Sequence, residues 1–174
     1  MILIIDFGSQ YNQLIARRVR EFHVYCQIDP PDIDIAHITR LNPKGIILSG
    51  GPSSIYEKNS PKCDESIFNL GVPVLGICYG MQFMIHTLGG VVKRAQKREY
   101  GFAELNIKEQ NGLFNGVDRK TKSWTSHGDS IEKLPHGFRI TASTQNTKIA
   151  ATVHDKKNLY GLQFHPEVHH TARG

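Results

Sequence analysis

Cysteine is scarce in this sequence, and long apolar runs are absent. The 174 residues include three cysteines, none in a Cys-x-x-Cys pair. This odd number without zinc-ligand spacing argues against a disulfide framework and against a structural zinc site, and it leaves room for one reactive thiol. No apolar stretch approaches the roughly 18 residues that a membrane span needs. The run Met1–Ile5 is too short for a signal peptide, so we expect a cytoplasmic protein with no membrane partner.

The remaining composition is ordinary for a globular protein. A content of 39% hydrophobic and 21% charged residues excludes a disordered tail and a coiled coil, and the length predicts a single domain over residues 1–174. The net charge of +5 would suit an acidic partner or nucleic acid. The basic residues are spread without interleaved aromatics, so we expect no nucleic-acid partner. We interpret these stretches as solvated faces or, as the second choice, as a protein docking surface at Arg17–Arg20 or Lys93–Arg98.

The first half of the chain alternates between short apolar runs and helical patterns. Unbroken aliphatic runs are typical of strands buried on both faces of a parallel sheet. We predict such strands at Ile2–Ile5, Val24–Ile28, Gly45–Ser49 and Val72–Ile77. We predict helices after a cap at Ser9, from Ser60-Pro61 onward, and over Tyr79–Leu88.

After Gly90 the pattern changes to a period of two residues. It predicts strands at Gly101–Ile107, Lys122–Thr125, Arg139–Thr144, Ala150–His154 and Leu159–Phe164. The two halves together indicate an α/β fold with an open, mostly parallel central sheet, flanked by helices and extended by antiparallel strands from the C-terminal half.

The segment Gly76-Ile77-Cys78-Tyr79-Gly80 lies where a predicted strand passes into a predicted helix. This is the spacing of a nucleophile elbow with cysteine in the position of serine. The turn strains the central residue, and the flanking glycines avoid side-chain clashes. The helix N-terminus favours a thiolate, and the Tyr79 N–H faces any anion that forms on the substrate. The alternative is that Cys78 merely fills space in the core.

A base for that thiol is offered by Phe164-His165-Pro166-Glu167, which follows the last predicted strand. His165 and Glu167 are two residues apart in extended chain, so the carboxylate can orient the imidazole. The alternative is a solvated surface turn. His169 and His170 lie nearby, but without helical spacing or acidic partners we expect no metal site.

A glycine-rich loop over Gly50–Ser54 follows the third predicted strand. Adjacent glycines allow backbone N–H groups to approach a ligand closely, as an oxyanion hole requires. A plain turn is the alternative. No phosphate-loop motif occurs, and we expect no nucleotide site.

Together these motifs resemble the class I (triad) glutamine amidotransferases, and the resemblance covers nearly the whole chain. The elbow continues into Met81-Gln82, and Gly161–Val168 is similar to the family's His/Glu segment. Four further stretches are similar to the branch of the family found in GMP synthetases: Asp6–Tyr11, Leu14–Glu21, Ile47–Glu57 and Ser126–Asp129. The resemblance implies a flavodoxin-like arrangement of the sheet.

The resemblance also implies residue roles. Cys78 would be the nucleophile, His165 the general base and acid, and Glu167 the orienting carboxylate. Oxyanion N–H groups would come from Gly51 and Tyr79. The substrate glutamine would be held by Gln82, Ser53, Ser126, Gly128 and Asp129.

The activity implied is hydrolysis of L-glutamine to glutamate and ammonia. The ammonia would pass to an ATP-pyrophosphatase subunit that converts XMP to GMP, in a heterodimer, with ATP and Mg²⁺ on that partner and no cofactor in this chain. Three alternatives stay open: the glutaminase of another amidotransferase, such as anthranilate or aminodeoxychorismate synthase; a stand-alone γ-glutamyl cysteine hydrolase; and a non-catalytic regulatory subunit.

Overall fold

A single sheet of nine strands organises the chain. The computed structural model describes residues 1–174, apart from the side chain of Gln96. The strands are β1 Ile2–Ile5, β2 Cys26–Asp29, β3 Gly45–Leu48, β4 Val74–Ile77, β5 Val91–Ile107, β6 Lys120–Lys133, β7 Arg139–Ser143, β8 Ala151–His154 and β9 Leu159–Leu162. The α-helices are α1 Asn12–Glu21, α2 Ile35–Leu41 and α3 Tyr79–Thr87. Short 3₁₀ helices lie at Glu65–Asn69, Gly112–Phe114 and Asp155–Lys157.

The sheet has a parallel half and an antiparallel half. Its strand order is β2-β1-β3-β4-β9-β8-β7-β5-β6. The pairs from β2 to β9 are parallel, and those from β9 to β6 are antiparallel. The predicted α/β fold with antiparallel strands added in the C-terminal half is therefore confirmed. The last strand, β9, joins the parallel half beside β4.

Burial on both faces explains the aliphatic runs of the parallel strands. Leu3, Ile4 and Ile5 of β1 are fully buried, and they belong to core clusters on opposite sides of the sheet. Helix α1 covers one side with Ile15 and Ala16. Helix α3 is apolar nearly all round and buried from its first residue to Ile85, as expected of a helix enclosed by the core.

Two expectations about helices were wrong. The helix predicted from Ser60 is replaced by the 3₁₀ helix Glu65–Asn69, because the side chain of Asp64 accepts the Ser66 N–H at 2.9 Å and starts the turn there. The hydroxyl of Ser9 accepts the Tyr11 N–H at 3.0 Å, but the residue that precedes α1 is Tyr11. Ser9 therefore supports the approach to the helix without capping it.

Helix α2 was not predicted. It has seven residues, and its start is fixed by Asp34, whose carboxylate accepts the Ala36 N–H at 2.7 Å. A helix this short shows too few repeats for its apolar period to be recognised. In the described part of the chain, no helix is both long and apolar enough to cross a lipid bilayer.

The contact of α3 with β3 gives a test of the packing. A Cβ atom on Gly80 would overlap the backbone carbonyl of Leu48, so Gly80→Ala is expected to lower the free energy of unfolding by roughly 2 kcal/mol or more. Urea unfolding monitored by circular dichroism measures the change. Gly128→Ala is the matched control, because its Cβ would meet nothing closer than the Tyr100 hydroxyl at 3.6 Å. Equal stability of the two variants would contradict this account of the packing.

Candidate active site

The elbow residue Cys78 adopts a strained backbone. It lies between β4 and α3 with φ 50° and ψ −108°, a region that side chains disfavour. A Cβ on Gly76 would lie 2.6 Å from the Met81 nitrogen, and one on Gly80 would overlap Leu48. Only glycine fits at these two positions, so the Gly-x-Cys-x-Gly pattern follows from the geometry of the turn.

The pairing of β4 with β9 brings His165 to the same edge of the sheet. The Cys78 N–H donates to the carbonyl of Leu162, the last residue of β9, at 2.7 Å. The His165 backbone is held at both ends: its N–H donates to Trp124 O at 2.9 Å, and its carbonyl accepts the Thr171 hydroxyl at 2.6 Å. The histidine therefore has little freedom to move away from the cysteine.

His165 and Glu167 form a buried pair. The distance from His165 Nδ1 to Glu167 Oε1 is 2.8 Å, as expected from their spacing in extended chain. Because a carboxylate accepts hydrogen bonds, Nδ1 carries a proton and Nε2 is left for the thiol. Arg18 of α1 donates from Nε to the Glu167 carbonyl at 3.1 Å, which connects this segment to the first helix.

The protonation of His165 depends on its two neighbours. Burial alone would lower the pKa of His165, but hydrogen bonds and charge from Cys78 and Glu167 outweigh it and raise the pKa to about 10. An imidazole that binds its proton this firmly can accept a proton from the neighbouring thiol and later donate it. The arrangement can therefore supply both a nucleophile and a proton donor.

A cavity of about 500 Å³ opens in front of Cys78. A pocket of this size suits a small molecule. The predicted site residues that line it are Gly51, Ser53, Cys78, Tyr79, Gln82, Ser126, Gly128, Asp129 and His165. Glu167 is the one predicted site residue that does not line it, because it is buried behind His165.

The glycine-rich loop and the start of α3 face this cavity together. A Cβ on Gly51 would lie 2.5 Å from the Phe7 carbonyl, so the loop lies tightly against the segment after β1. Ser49 strengthens the contact by accepting the Phe7 N–H at 2.9 Å. Tyr79 is the first residue of α3, where an amide N–H has no partner within the helix.

Gln82 is oriented by two acceptors. Its Nε2 donates to the Asp129 carbonyl and to Gln163 Oε1, both at 3.1 Å. Gln163 Nε2 in turn lies 3.7 Å from Cys78 Sγ. The Asp129 carboxylate accepts a hydrogen bond from the Ser54 hydroxyl at 2.5 Å. Asp129 therefore contributes both its side chain and its backbone to the wall of the cavity.

Several residues near the site were not predicted. The Tyr11 ring lies edge-on to the His165 ring, with centroids 5.2 Å apart. Gln163 is fully buried beside Cys78. Its position two residues before His165 is the sequence feature from which it could have been predicted as a site residue. His127, which lines the cavity, forms a buried pair with Glu99. His127 lies in the stretch Ser126–Asp129 that carries the family resemblance, but no motif links it to Glu99.

The other two cysteines do not line the cavity. Cys26 is in the core, where its thiol donates to the Ala16 carbonyl at 3.5 Å. Burial raises the pKa of Cys63 to about 12, which leaves it a poor nucleophile.

His169 and His170 stack on each other with ring centroids 3.7 Å apart. Within the described residues, no group of three His, Cys, Asp or Glu side chains could hold a metal ion.

Comparison with known proteins identifies the family of this chain. The family model described as glutamine amidotransferase class-I matches residues 3–174. The chain belongs to the class I glutamine amidotransferases. The resemblance that the motifs indicated is thereby confirmed, and so is the fold expected from it.

The relatives of this amidotransferase domain include several GMP synthases. It is 58% identical over 173 residues to the glutamine-hydrolysing GMP synthase of Caldanaerobacter subterraneus subsp. tengcongensis, covering 99% of this chain and 34% of that protein. It is also 58% identical over 174 residues to that of Prochlorococcus marinus, of which it covers 33%. The chain thus spans about one third of the length of the curated relatives it matches.

Two solved structures have the same fold as this chain. A crystal structure from Thermoplasma acidophilum, described as that of a GMP synthase subunit, superposes with a TM-score of 0.90 at 31% identity, covering 98% of this chain and 86% of that one. A glutamine amidotransferase of Thermotoga maritima shares the fold with a TM-score of 0.79 at 22% identity, covering 96% and 76%.

The raised pKa of His165 gives a test of the site geometry. Cys78→Ala removes the main group that raises this pKa and leaves the burial that lowers it. We therefore expect the His165 pKa to fall below about 10 in the variant. An NMR titration of the imidazole resonances in both proteins measures the shift. Cys63→Ala, which alters a cysteine outside the cavity, should leave the pKa unchanged; an identical pKa in Cys78→Ala would contradict the contact.

Proposed function

We propose that this chain is the glutaminase part of a GMP synthase, acting as a single domain over residues 1–174. The proposal depends on one observation above all: Cys78 contacts His165 of the His165–Glu167 pair, and Cys78 and His165 line a cavity of about 500 Å³. The level of identity to proteins named as GMP synthases, 51–58% over nearly the whole chain, supports this branch over the anthranilate and aminodeoxychorismate branches.

In the proposed reaction the Cys78 thiolate attacks the side-chain amide carbon of L-glutamine. The negative charge that develops on the amide oxygen is stabilised by the N–H groups of Gly51 and Tyr79. His165 gives its proton to the leaving nitrogen, so that ammonia departs and a glutamyl thioester forms. His165 then removes a proton from water, which attacks the thioester and releases glutamate and the thiolate. Glu167 keeps the imidazole oriented throughout.

The cavity also suits the other end of the substrate. Glutamine carries an ammonium and a carboxylate group on its α-carbon, and the cavity wall includes charges of both signs, Glu57 on one hand and Arg94 and Arg98 on the other. We assign the remaining substrate contacts to five lining residues: Gln82, Ser53, Ser126, Gly128 and Asp129.

The ammonia needs a second active site, because in bulk water it becomes protonated and loses its nucleophilic lone pair. We propose that it passes to an ATP-pyrophosphatase unit that converts XMP to GMP and holds ATP and Mg²⁺. That unit would be a separate subunit or the rest of a longer chain. Of the two basic stretches considered for docking, Lys93–Arg98 is favoured over Arg17–Arg20, since Arg94 and Arg98 lie at the cavity.

A comparison of two nitrogen donors tests this function. With the synthetase unit present, Cys78→Ala should lower glutamate release from glutamine by roughly 10⁴-fold or more, because the nucleophile is lost. GMP formation from added ammonia should persist, since the variant leaves the second site untouched. Cys63→Ala is the control and should retain both activities.

Two results would contradict the proposal. Glutamate release that survives in Cys78→Ala would exclude this cysteine as the nucleophile. Loss of both activities would assign Cys78 a structural role. Assays with and without the synthetase unit also separate a dependent glutaminase from a stand-alone hydrolase, which needs no partner for full activity.

A further inference from the structure

A second buried carboxylate–histidine pair lies beside the triad. Glu99 of β5 and His127 of β6 face each other directly in the antiparallel register. Both side chains are buried, with Glu99 Oε2 3.6 Å from His127 Nε2. Two hydroxyls complete the cluster: Thr144 lies 2.8 Å from Glu99 Oε1, and Thr147 lies 2.8 Å from Glu99 Oε2. Nothing in the proposed reaction uses this pair directly.

The hydrogen bonds around Glu99 favour an ionised carboxylate. The Thr144 hydroxyl oxygen accepts the Thr147 N–H at 3.0 Å, so its own proton is free to point at Glu99. The Thr147 hydroxyl donates to the other carboxylate oxygen. Burial raises the pKa of Glu99, but the nearby His127 and the hydrogen bonds from Thr144 and Thr147 outweigh it and hold the pKa below its usual range.

Both ring nitrogens of His127 face an oxygen that can accept a hydrogen bond or a charge. Nδ1 lies 2.9 Å from the Asp129 carbonyl, which only accepts hydrogen bonds, so Nδ1 carries a proton. Nε2 is buried, has no hydrogen-bond partner among the described residues, and faces the Glu99 carboxylate. A bare lone pair there would repel the carboxylate, whereas an Nε2–H makes an attractive ion pair.

A series of hydrogen bonds connects His127 to the surroundings of Cys78, and it passes through the Asp129 carbonyl. This oxygen accepts from His127 and from the Gln82 amide, whose same nitrogen donates to Gln163 Oε1. Gln163 Nε2 lies 3.7 Å from Cys78 Sγ. A charged His127 therefore strengthens the contact that holds the Asp129 backbone and the Gln82 side chain at the cavity wall.

We propose that Glu99 is a positioning residue that keeps His127 as an imidazolium and thereby fixes the Asp129 carbonyl and the Gln82 amide for substrate binding. This inference rests on the proposed glutaminase function for its kinetic consequence. The charge state of His127 is independent of that function, so the pair can be tested on its own.

Kinetics of the chain with its synthetase unit test the positioning role. Glu99→Ala should raise the KM for glutamine roughly tenfold while kcat stays within about threefold, because a binding contact is loosened and the triad is untouched. Glu99→Gln keeps the side-chain volume but removes the negative charge that faces His127, so it should also raise the KM. Glu104→Ala is the matched control: it removes a carboxylate from the same strand, one that pairs with Lys120 at the surface, and should leave KM unchanged.

Long-range ¹H–¹⁵N NMR of the histidine rings tests the charge state. At neutral pH, wild type should show both His127 nitrogens protonated, and Glu99→Gln should show a proton on Nδ1 alone. A singly protonated His127 in wild type would overturn the inference, as would a Glu99→Ala variant with the KM of Glu104→Ala. Absence of glutaminase activity in wild type and in Glu104→Ala alike would instead count against the proposed function.

Discussion

The parallel pairing of β4 with β9 is the constraint on which the rest of the site depends. Both strands are central and buried, and their register aligns Ile77 with Leu162. Cys78 follows the first of these residues directly, and His165 follows the second after a short segment held by Trp124 and Thr171. Parallel strands end at the same edge of a sheet, which is where α/β folds bind ligands. The proposed nucleophile and the proposed base, far apart in the sequence, therefore meet at one edge of the sheet.

Two buried carboxylate–histidine pairs flank the cavity that results. Burying a carboxylate costs free energy unless hydrogen bonds and a counter-charge compensate. Glu167 is compensated by His165, while Glu99 has His127 and two threonine hydroxyls. The first pair comes from the segment after β9 and the second from the β5–β6 hairpin. The parallel half of the sheet thus positions the groups that we propose to react, and the antiparallel half supplies part of the cavity wall.

What the sequence predicted well was local. The turn at Cys78 depends on glycines two residues away, and the contact of His165 with Glu167 depends on a spacing of two, so short motifs carry both. The cluster at Glu99 could not be predicted in this way. β5 is rich in charged residues and looks solvated, and the hydroxyls that make burial of Glu99 possible come from Thr144 and Thr147, some 45 residues further along the chain. The helix expected after Ser60 was wrong for a local reason, since a competing Asp64 cap starts a shorter turn.

Covalent trapping of the cysteines tests the central claim most directly. A glutamine analogue with an electrophilic diazoketone in place of the side-chain amide should alkylate the thiol that the cavity presents, and peptide mass spectrometry locates the adduct. The account predicts an adduct on Cys78 alone, formed much more slowly when His165 is replaced by glutamine. Cys26 should stay unmodified because it is buried in the core, and Cys63 because burial raises its pKa to about 12. Equal labelling of Cys63, or labelling of Cys78 that is indifferent to His165, would contradict the account.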